Sequence, residues 1–369
     1  MTRLGADIKN RRLAFQLPVE TVANLAGLDS QRLLGIEASA FVPSAWELAA
    51  VAEALACDPA ELLAGGAEDP RRSVARFRGG QAAMGLTGGD LRLLARGAEA
   101  GRVLAHLKSR LDEPVSQIPS NRQVRGPSGR REPWADGYDL GAAARALLSP
   151  DGSIRSIQEL FEAAGIHVAG VQFEGNVEAA SLYEVGASPV ILLNTRAPRF
   201  AHPLARRAIL AHELCHLLHD GGERELTVVT REQDGSAIEQ RANGFAPSFI
   251  APKELVVSAM KVKKVSLKDP KALVLDLANA WGLSFEGAAW HAKNLNLLDP
   301  RVAEKLAAGP KTQIRVDFEP DLQRTPPDQF GIEVKATELS DGLLSETAIV
   351  ACAEGLISRE RASEILSLR

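Results

Sequence analysis

The sequence predicts a multidomain protein: an all-α N-terminal domain, an α+β domain in the middle of the chain, and a helical C-terminal region. Three observations predict it. Residues 4–64 are a dense series of short segments with apolar residues at three- and four-residue intervals. Residues 167–194 hold three short β-rich runs bounded by Gly, Pro and Asn, and after Pro252 the chain returns to helical spacing. A length of 369 residues suffices for two or three domains, and 45% hydrophobic with 24% charged residues excludes wholesale disorder.

In the N-terminal domain, residues 1–66, the runs "LGADIKNRRLAF", "PVETVANLAG", "DSQRLLGIEAS", "AWELAAVAEAL" and "PAELLAG" predict five helices, punctuated by Pro18, Gly27, Pro43 and Pro59. Ala23 and Gly27 stand four apart, with Leu28, Leu33 and Ile36 following, a spacing that packs a helix-turn-helix: small residue in the first helix, glycine at the turn, apolar residues holding the second helix down. That second helix would present Ser30, Gln31 and Arg32 at its N-terminal end, side chains able to reach base edges and phosphates of a DNA operator. The charge argues the other way. Residues 1–65 hold five Lys or Arg against eight Asp or Glu, a poor footprint for DNA. Either the following basic segment supplies the phosphate contacts, or the domain docks protein, for example another helix-turn-helix chain.

That segment, residues 67–136, is expected to be a basic helical stretch followed by a flexible linker. From Arg71 to Ala135 thirteen Lys or Arg stand against five Asp or Glu. One or two helices are expected around "DLRLLARGAEAGRVLAHLKSRL", and the end, "EPVSQIPSNRQVRGPSGRREPWADG", is rich in Pro, Gly and Ser. Arg122, Arg125, Arg130 and Arg131 read equally as phosphate contacts and as a solvated linker.

The α+β domain, residues 137–262, opens with two helical runs, "DLGAAARALL" and "SIQELFEAAG", followed by the strands "HVAGVQFE", "AASLYEV" and "PVILLN". Directly after them comes "ILAHELCHLLHD", residues 209–220. On a helix, His212 and His216 lie one turn apart on the same face, so their imidazoles can converge on one ion about 2.0–2.1 Å from each nitrogen. Glu213 is rotated about 100° from His212, beside the ion, where it can act as the catalytic base toward water. The competing reading is a satisfied core helix, but a helix carrying Ile209, Leu210, Leu214, Leu217 and Leu218 does not bury two histidines and a carboxylate without a purpose. The ion is read as zinc, with manganese as the alternative.

A third ligand is needed. His219 continues the face, yet roughly 10.5 Å of helix rise separates it from His212. Among the acidic residues downstream, Glu239 is the best placed, because it opens the helical pattern "IEQRANGFAPSFI"; Glu223, Glu225, Glu232 and Asp234 fall in a polar strand-or-loop stretch.

Three separated stretches, "PVILLNTRAP", "RRAILAHELCHLLH" and "EQRANGFAPSFIAP", resemble in this order the ImmA/IrrE metallopeptidases, relatives of the thermolysin-like zinc proteases. The resemblance covers roughly residues 137–260. It implies a thermolysin-like minimal metallopeptidase domain with His212 and His216 as ligands, Glu213 as base and Glu239 as third ligand. It also implies limited proteolysis of small helix-turn-helix repressors in stress responses or mobile-element induction. Residues 4–64 likewise resemble the Cro/CI-type repressor domain. Where the metallopeptidases usually carry a small residue, often glycine, this chain has Cys215, which reads either as a redox-sensitive thiol or as a small packed hydrophobe. Tyr183, His202, Arg206 and Arg207 are the nearby candidates for stabilising a transition state.

Residues 263–369 are expected to form a helical C-terminal region, with "KALVLDLANAWG", "FEGAAWHAKNLNLL" and a final run "SETAIVACAEGLISRERASEIL"; His291 there reads as structural. No apolar run reaches the length of a membrane span, and "MTRLGADIKNRR" lacks the apolar stretch of a signal peptide, so a cytoplasmic location without membrane contact is expected. Cys57, Cys215 and Cys352 are isolated and fit reduced thiols. A homodimer is compatible with the helical C-terminal region. Two functions remain: a zinc endopeptidase coupled to a DNA-binding regulator, and a regulator whose peptidase fold senses a metal or ligand without turnover.

Overall fold

The computed structural model describes residues 2–14, 17–55, 57, 59–63, 76–77, 87–116, 132–175, 177–220, 227–230, 237–263, 269–309, 314, 317–319 and 342–366. The N-terminal unit consists of α1 (Thr2–Ala14), α2 (Val19–Leu25), α3 (Ser30–Glu37), α4 (Ala45–Ala54) and α5 (Pro59–Leu63). Their apolar stripes close over a core of Ile8, Val22, Ala23, Leu33, Ile36, Val51 and Leu55. The turn between α2 and α3 passes through Gly27 at φ +65°, left-handed backbone that a residue with a Cβ adopts only under strain. Asp29 then caps α3, its carboxylate accepting from the Arg32 amide at 2.8 Å. Inside this unit Arg12 and Glu37 form a buried two-pronged ion pair at 2.6 and 2.8 Å.

The sheet comprises β1 (Arg76–Phe77), β2 (His167–Val171), β3 (Ala179–Tyr183), β4 (Val190–Asn194) and β5 (Thr227–Thr230), in the order β1-β5-β3-β4-β2. β3 runs antiparallel to β4 and β5, while β2 is parallel to β4 and β1 to β5. Strand alternation sends Val168, Ala179, Ile191 and Leu193 into one core, which they share with α9 (Pro203–His219). Ala169, Val171, Ala180, Leu182, Val190 and Leu192 go to the other face, which they share with Leu94 and Ala98 of α6 (Gly88–Arg110). Because both faces are covered, β4 is apolar at nearly every position, which is why "PVILLN" shows no alternation.

The helix expected within residues 67–136 is present as α6, and its packing adds a role that the expectation did not contain. α6 is a structural layer of the α+β unit. Its capping residue Asp90, fully buried, accepts from the amides of Glu174 at 2.7 Å and Gly175 at 3.1 Å, tying the helix start to the loop after β2. Helices α2 and α4 pack against α6 from outside, and residues 117–131, with the arginines expected in the linker, lie outside the described residues.

Two helices precede β2, α7 (Pro133–Leu148) and α8 (Ile157–Ala163), and α10 (Ala237–Ile250) packs against α9 and α7. α7 and α10 approach closely because Gly137, Gly141 and Gly244 line the contact: a Cβ on Gly137 would fall on the Arg241 carbonyl, and one on Gly244 on the Trp134 carbonyl. After α11 (Lys253–Lys263) come α12 (Pro270–Trp281), α13 (Phe285–Asn294) and α14 (Pro300–Ala307). Leu273, Val274, Leu277, Ala288 and Ala292 belong to the same core as α9 and α10, so the expected division at 262/263 cuts through packed helices. The final run is two helices, α15 (Leu343–Ala353) and α16 (Arg359–Leu366), broken by a turn at Gly355 with φ +69°. α15 packs on α6 through Leu344 and Ala348 against Leu104 and Leu107. Among the described residues no helix is long and apolar enough to cross a membrane.

Candidate functional site

α9 is apolar on the flanks that meet the sheet and the α7–α10 pair, and it buries His212, Glu213 and His216 almost completely. The first turn of α10 brings Glu239 to the two imidazoles. The Nε2 atoms of His212 and His216 are 3.0 Å apart, Glu239 Oε2 is 3.1 Å from the first and Oε1 3.3 Å from the second. Donors on a tetrahedral ion with bonds near 2.05 Å would stand about 3.3 Å apart. The three donor groups therefore fit one small divalent ion, and two imidazoles with a carboxylate suit zinc or manganese.

The charge of the surroundings fits as well. Glu213, Asp220 and Glu239 are three buried carboxylates, and Arg241 is the buried guanidinium paired with Asp220. With both imidazoles neutral, as ligands of an ion must be, two negative charges are left over, matching a divalent cation. Burial alone would lift the Glu239 carboxyl, but the two histidines hold it down at about 2. Burial likewise pushes His216 down, and hydrogen bonds with Asp220 and Glu239 more than reverse this, raising it to about 9. The pocket favours positive charge where the imidazoles converge.

Glu213 is fixed from the sheet. Ser181 of β3 donates its hydroxyl to Glu213 Oε2 at 2.5 Å and lies 3.1 Å from the Glu213 carbonyl. A serine inside an otherwise apolar strand was the available sequence signal for this contact, as it stands on the face that Ala179 turns toward α9. Asp220 was legible too: it lies at i+4 from His216, and its Oδ2 stands 2.8 Å from His216 Nδ1.

The remaining candidates separate. His219, the discarded third ligand, packs edge-on against Phe245, and burial with the Arg241 charge lowers it to about 4, which keeps it neutral. Arg207 is fully buried in a network of its own, donating to Glu319 Oε1 at 3.0 Å and to the Ile154 carbonyl. Arg206 donates to the carbonyls of Phe200 and Glu319 at 3.0 and 3.2 Å. Both arginines hold the 317–319 segment to α9, so neither is positioned to stabilise a transition state. Glu319, which no sequence signal marked, also caps α8 by accepting from the Ile157 amide at 2.5 Å. His202 is exposed at the start of α9, whereas Tyr183 shares with Ser181 the strand face turned to α9. Glu223, Glu225, Glu232 and Asp234 lie outside the described residues. Cys215 is fully buried and its thiol is pushed up by burial, so it stays protonated and packs as a small hydrophobe; the redox reading loses its reactive thiolate. His291, as expected, is structural, its Nε2 2.7 Å from the Ala251 carbonyl and its Nδ1 2.9 Å from the Tyr138 hydroxyl.

In the N-terminal unit, Gln31 is exposed and Ser30 half-buried at the start of α3. Arg32 is occupied. Its guanidinium makes a two-pronged pair with Glu47 at 2.7 and 2.9 Å, donates to the Val42 carbonyl at 3.3 Å and lies over the Phe41 ring. Leu34, Phe41, Val42 and Trp46 are exposed beside it, so this surface is apolar with its cation compensated. A phosphate would have to displace Glu47 to reach Arg32.

Residues 161–291, about a third of the chain, match the family model Peptidase_M78, described as the IrrE N-terminal-like domain. The match spans α9 and α10 and supports a metallopeptidase-type domain there. No curated protein and no solved structure matches the chain.

Proposed function

We propose that the chain is a cytoplasmic zinc-dependent endopeptidase, with manganese as the alternative ion, whose ligands are His212, His216 and Glu239 and whose catalytic base is Glu213. The observation that carries this reading is the convergence of three buried donors from two helices to separations of 3.0–3.3 Å. When bound there, the ion would polarise a scissile carbonyl and make water acidic enough to attack near neutral pH. The rest falls to the chain's own groups. Ser181 orients the Glu213 carboxylate, Glu213 takes the proton of the attacking water and passes it to the leaving amine, and the leucines of α9 keep bulk water from the helix behind it. Tyr183, on the same strand face as Ser181, is the candidate for steadying the developing oxyanion.

For the N-terminal unit we infer a Cro/CI-type helix-turn-helix module, supported by the α2–Gly27–α3 geometry and the Asp29 cap. In this reading the whole protein regulates transcription: it acts at a DNA operator and cleaves a helix-turn-helix repressor in a stress or mobile-element response. The Arg32–Glu47 pair favours a division of labour in which Ser30 and Gln31 make what base contacts there are, and the apolar surface beside them meets the repressor.

The test is a comparison of wild-type and Glu213→Gln protein, both loaded with zinc, on a mixture of peptides and Cro/CI-type repressors read by mass spectrometry. New peptide termini are expected from wild type only, at equal zinc content. No new termini from zinc-loaded wild type would leave the fold as a metal or ligand sensor, and equal cleavage by both proteins would remove Glu213 as the base.

A further inference from the structure

Resting on the metal-centre reading, we propose that Asp220 and Arg241 are positioning residues that act as one unit: Asp220 fixes the ring of His216, and Arg241 clamps α10 onto α9 so that Glu239 meets the histidines. Asp220 is an anomaly by local rules. It is a carboxylate at the C-terminal end of α9, where the helix dipole disfavours negative charge, and it is 2% exposed, where desolvation disfavours it further. A residue so placed is retained for what it holds. It holds His216: an imidazole that binds an ion through Nε2 must carry its proton on Nδ1, and the Asp220 carboxylate 2.8 Å away accepts that proton's hydrogen bond, fixing tautomer and ring orientation.

Arg241 makes this arrangement tolerable and extends it. Its guanidinium pairs with Asp220 Oδ1, so a side chain of α10 grips the end of α9. Glu239 and Arg241 are two residues apart, which puts them on opposite flanks of the first turn of α10. Glu239 reaches the imidazoles from one flank and Arg241 reaches Asp220 from the other, so that turn straddles the end of α9. The two contacts meet again at His216, which touches Glu239 through Nε2 and Asp220 through Nδ1. Losing either member of the pair thus disturbs two of the three donors, His216 directly and Glu239 through the helix that carries it.

Zinc affinity, measured by competition with a chromophoric chelator, tests this in full-length protein carrying Asp220→Asn, Arg241→Met, Arg241→Lys or both Asp220→Asn and Arg241→Met. Each of the first two is expected to bind zinc about 10–100-fold more weakly. The double variant is expected to lose no more than the worse single one, because the residues act through one ring and one helix turn. Arg241→Lys, which keeps the charge without the fork, is expected to recover part of the affinity lost in Arg241→Met. Melting temperatures are read alongside. A pair that merely stabilises the fold would lower them and leave zinc affinity within about twofold of wild type, and losses that multiply in the double variant would mean two independent defects; either result overturns the proposal. Wild-type protein that takes up no zinc would overturn this proposal and the proposed function together.

Discussion

The N-terminal unit and the α9–α10 centre are both built on ion pairs, and they differ in how the charges balance. In the first, Arg12 meets Glu37 and Arg32 meets Glu47, each cation with one carboxylate, so each pair is balanced within itself. In the second, Asp220 alone has a guanidinium, that of Arg241, while Glu239 meets two histidines and Glu213 is held by a serine hydroxyl. Balanced pairs lock helices together. An unbalanced, desolvated cluster is stable only with something to complete it, and that separates a site from scaffolding here more sharply than burial or motif does.

The largest effect is expected at a balanced pair. Arg12→Met leaves Glu37 buried and unpaired and is expected to destabilise the N-terminal helices by about 3–5 kcal/mol, seen as an early denaturation step while zinc content is unchanged. If zinc were lost with it, the two regions would not be separable. Next, Gly244→Val pushes a branched side chain into the α7 backbone and is expected to cost about 1–3 kcal/mol, read from the denaturation midpoint, with weaker zinc binding because α10 carries Glu239. Ser181→Ala removes a donor from Glu213 and is expected to cost about 1–3 kcal/mol with zinc content retained, since Ser181 bonds to Glu213 and to none of the three proposed ligands. The smallest change is expected at Arg32. Arg32→Ala removes a solvent-screened pair and is expected to leave the denaturation midpoint close to that of wild type.

The same pair predicts a pH response. Hydrogen bonds from Arg32 and the Ser44 amide lower Glu47 from 4.5 to about 2. A carboxyl lowered on folding contributes stability that is fully present above its unfolded value and is lost as pH falls through the folded one. Denaturation midpoints followed by circular dichroism should therefore fall slightly as pH drops from 4.5 to about 2, with a weaker dependence in Arg32→Ala. Equal acid sensitivity in both proteins would mean that this pair does not couple to the fold.

The sequence made local geometry legible and long-range partnership only in part. His212, Glu213 and His216 could be read because helical spacing alone places them, and Glu239 because it opens the next helical pattern. The three central strands were legible from β-rich runs between turn residues, but β1 and β5 were not, since strands of two and four residues carry almost no pattern. The role of α6 was missed although its trace was present: the unbroken apolar run of β4 implies cover on both faces, yet nothing in it names the covering helix. Asp220 stands one turn after His216, a spacing that gains meaning only once that histidine is taken as a ligand. Glu319 was not visible at all, because a buried acceptor in an irregular segment is defined only by the amides and the arginine it meets.

The central claim is that α9 and α10 form a metal centre, and it is tested most directly by metal content after zinc loading, for wild type, His212→Ala, Glu239→Ala and Glu213→Gln. The account predicts about one equivalent in wild type and in Glu213→Gln, and close to none in His212→Ala and Glu239→Ala. Equal zinc in wild type and His212→Ala, or none in wild type, would contradict it.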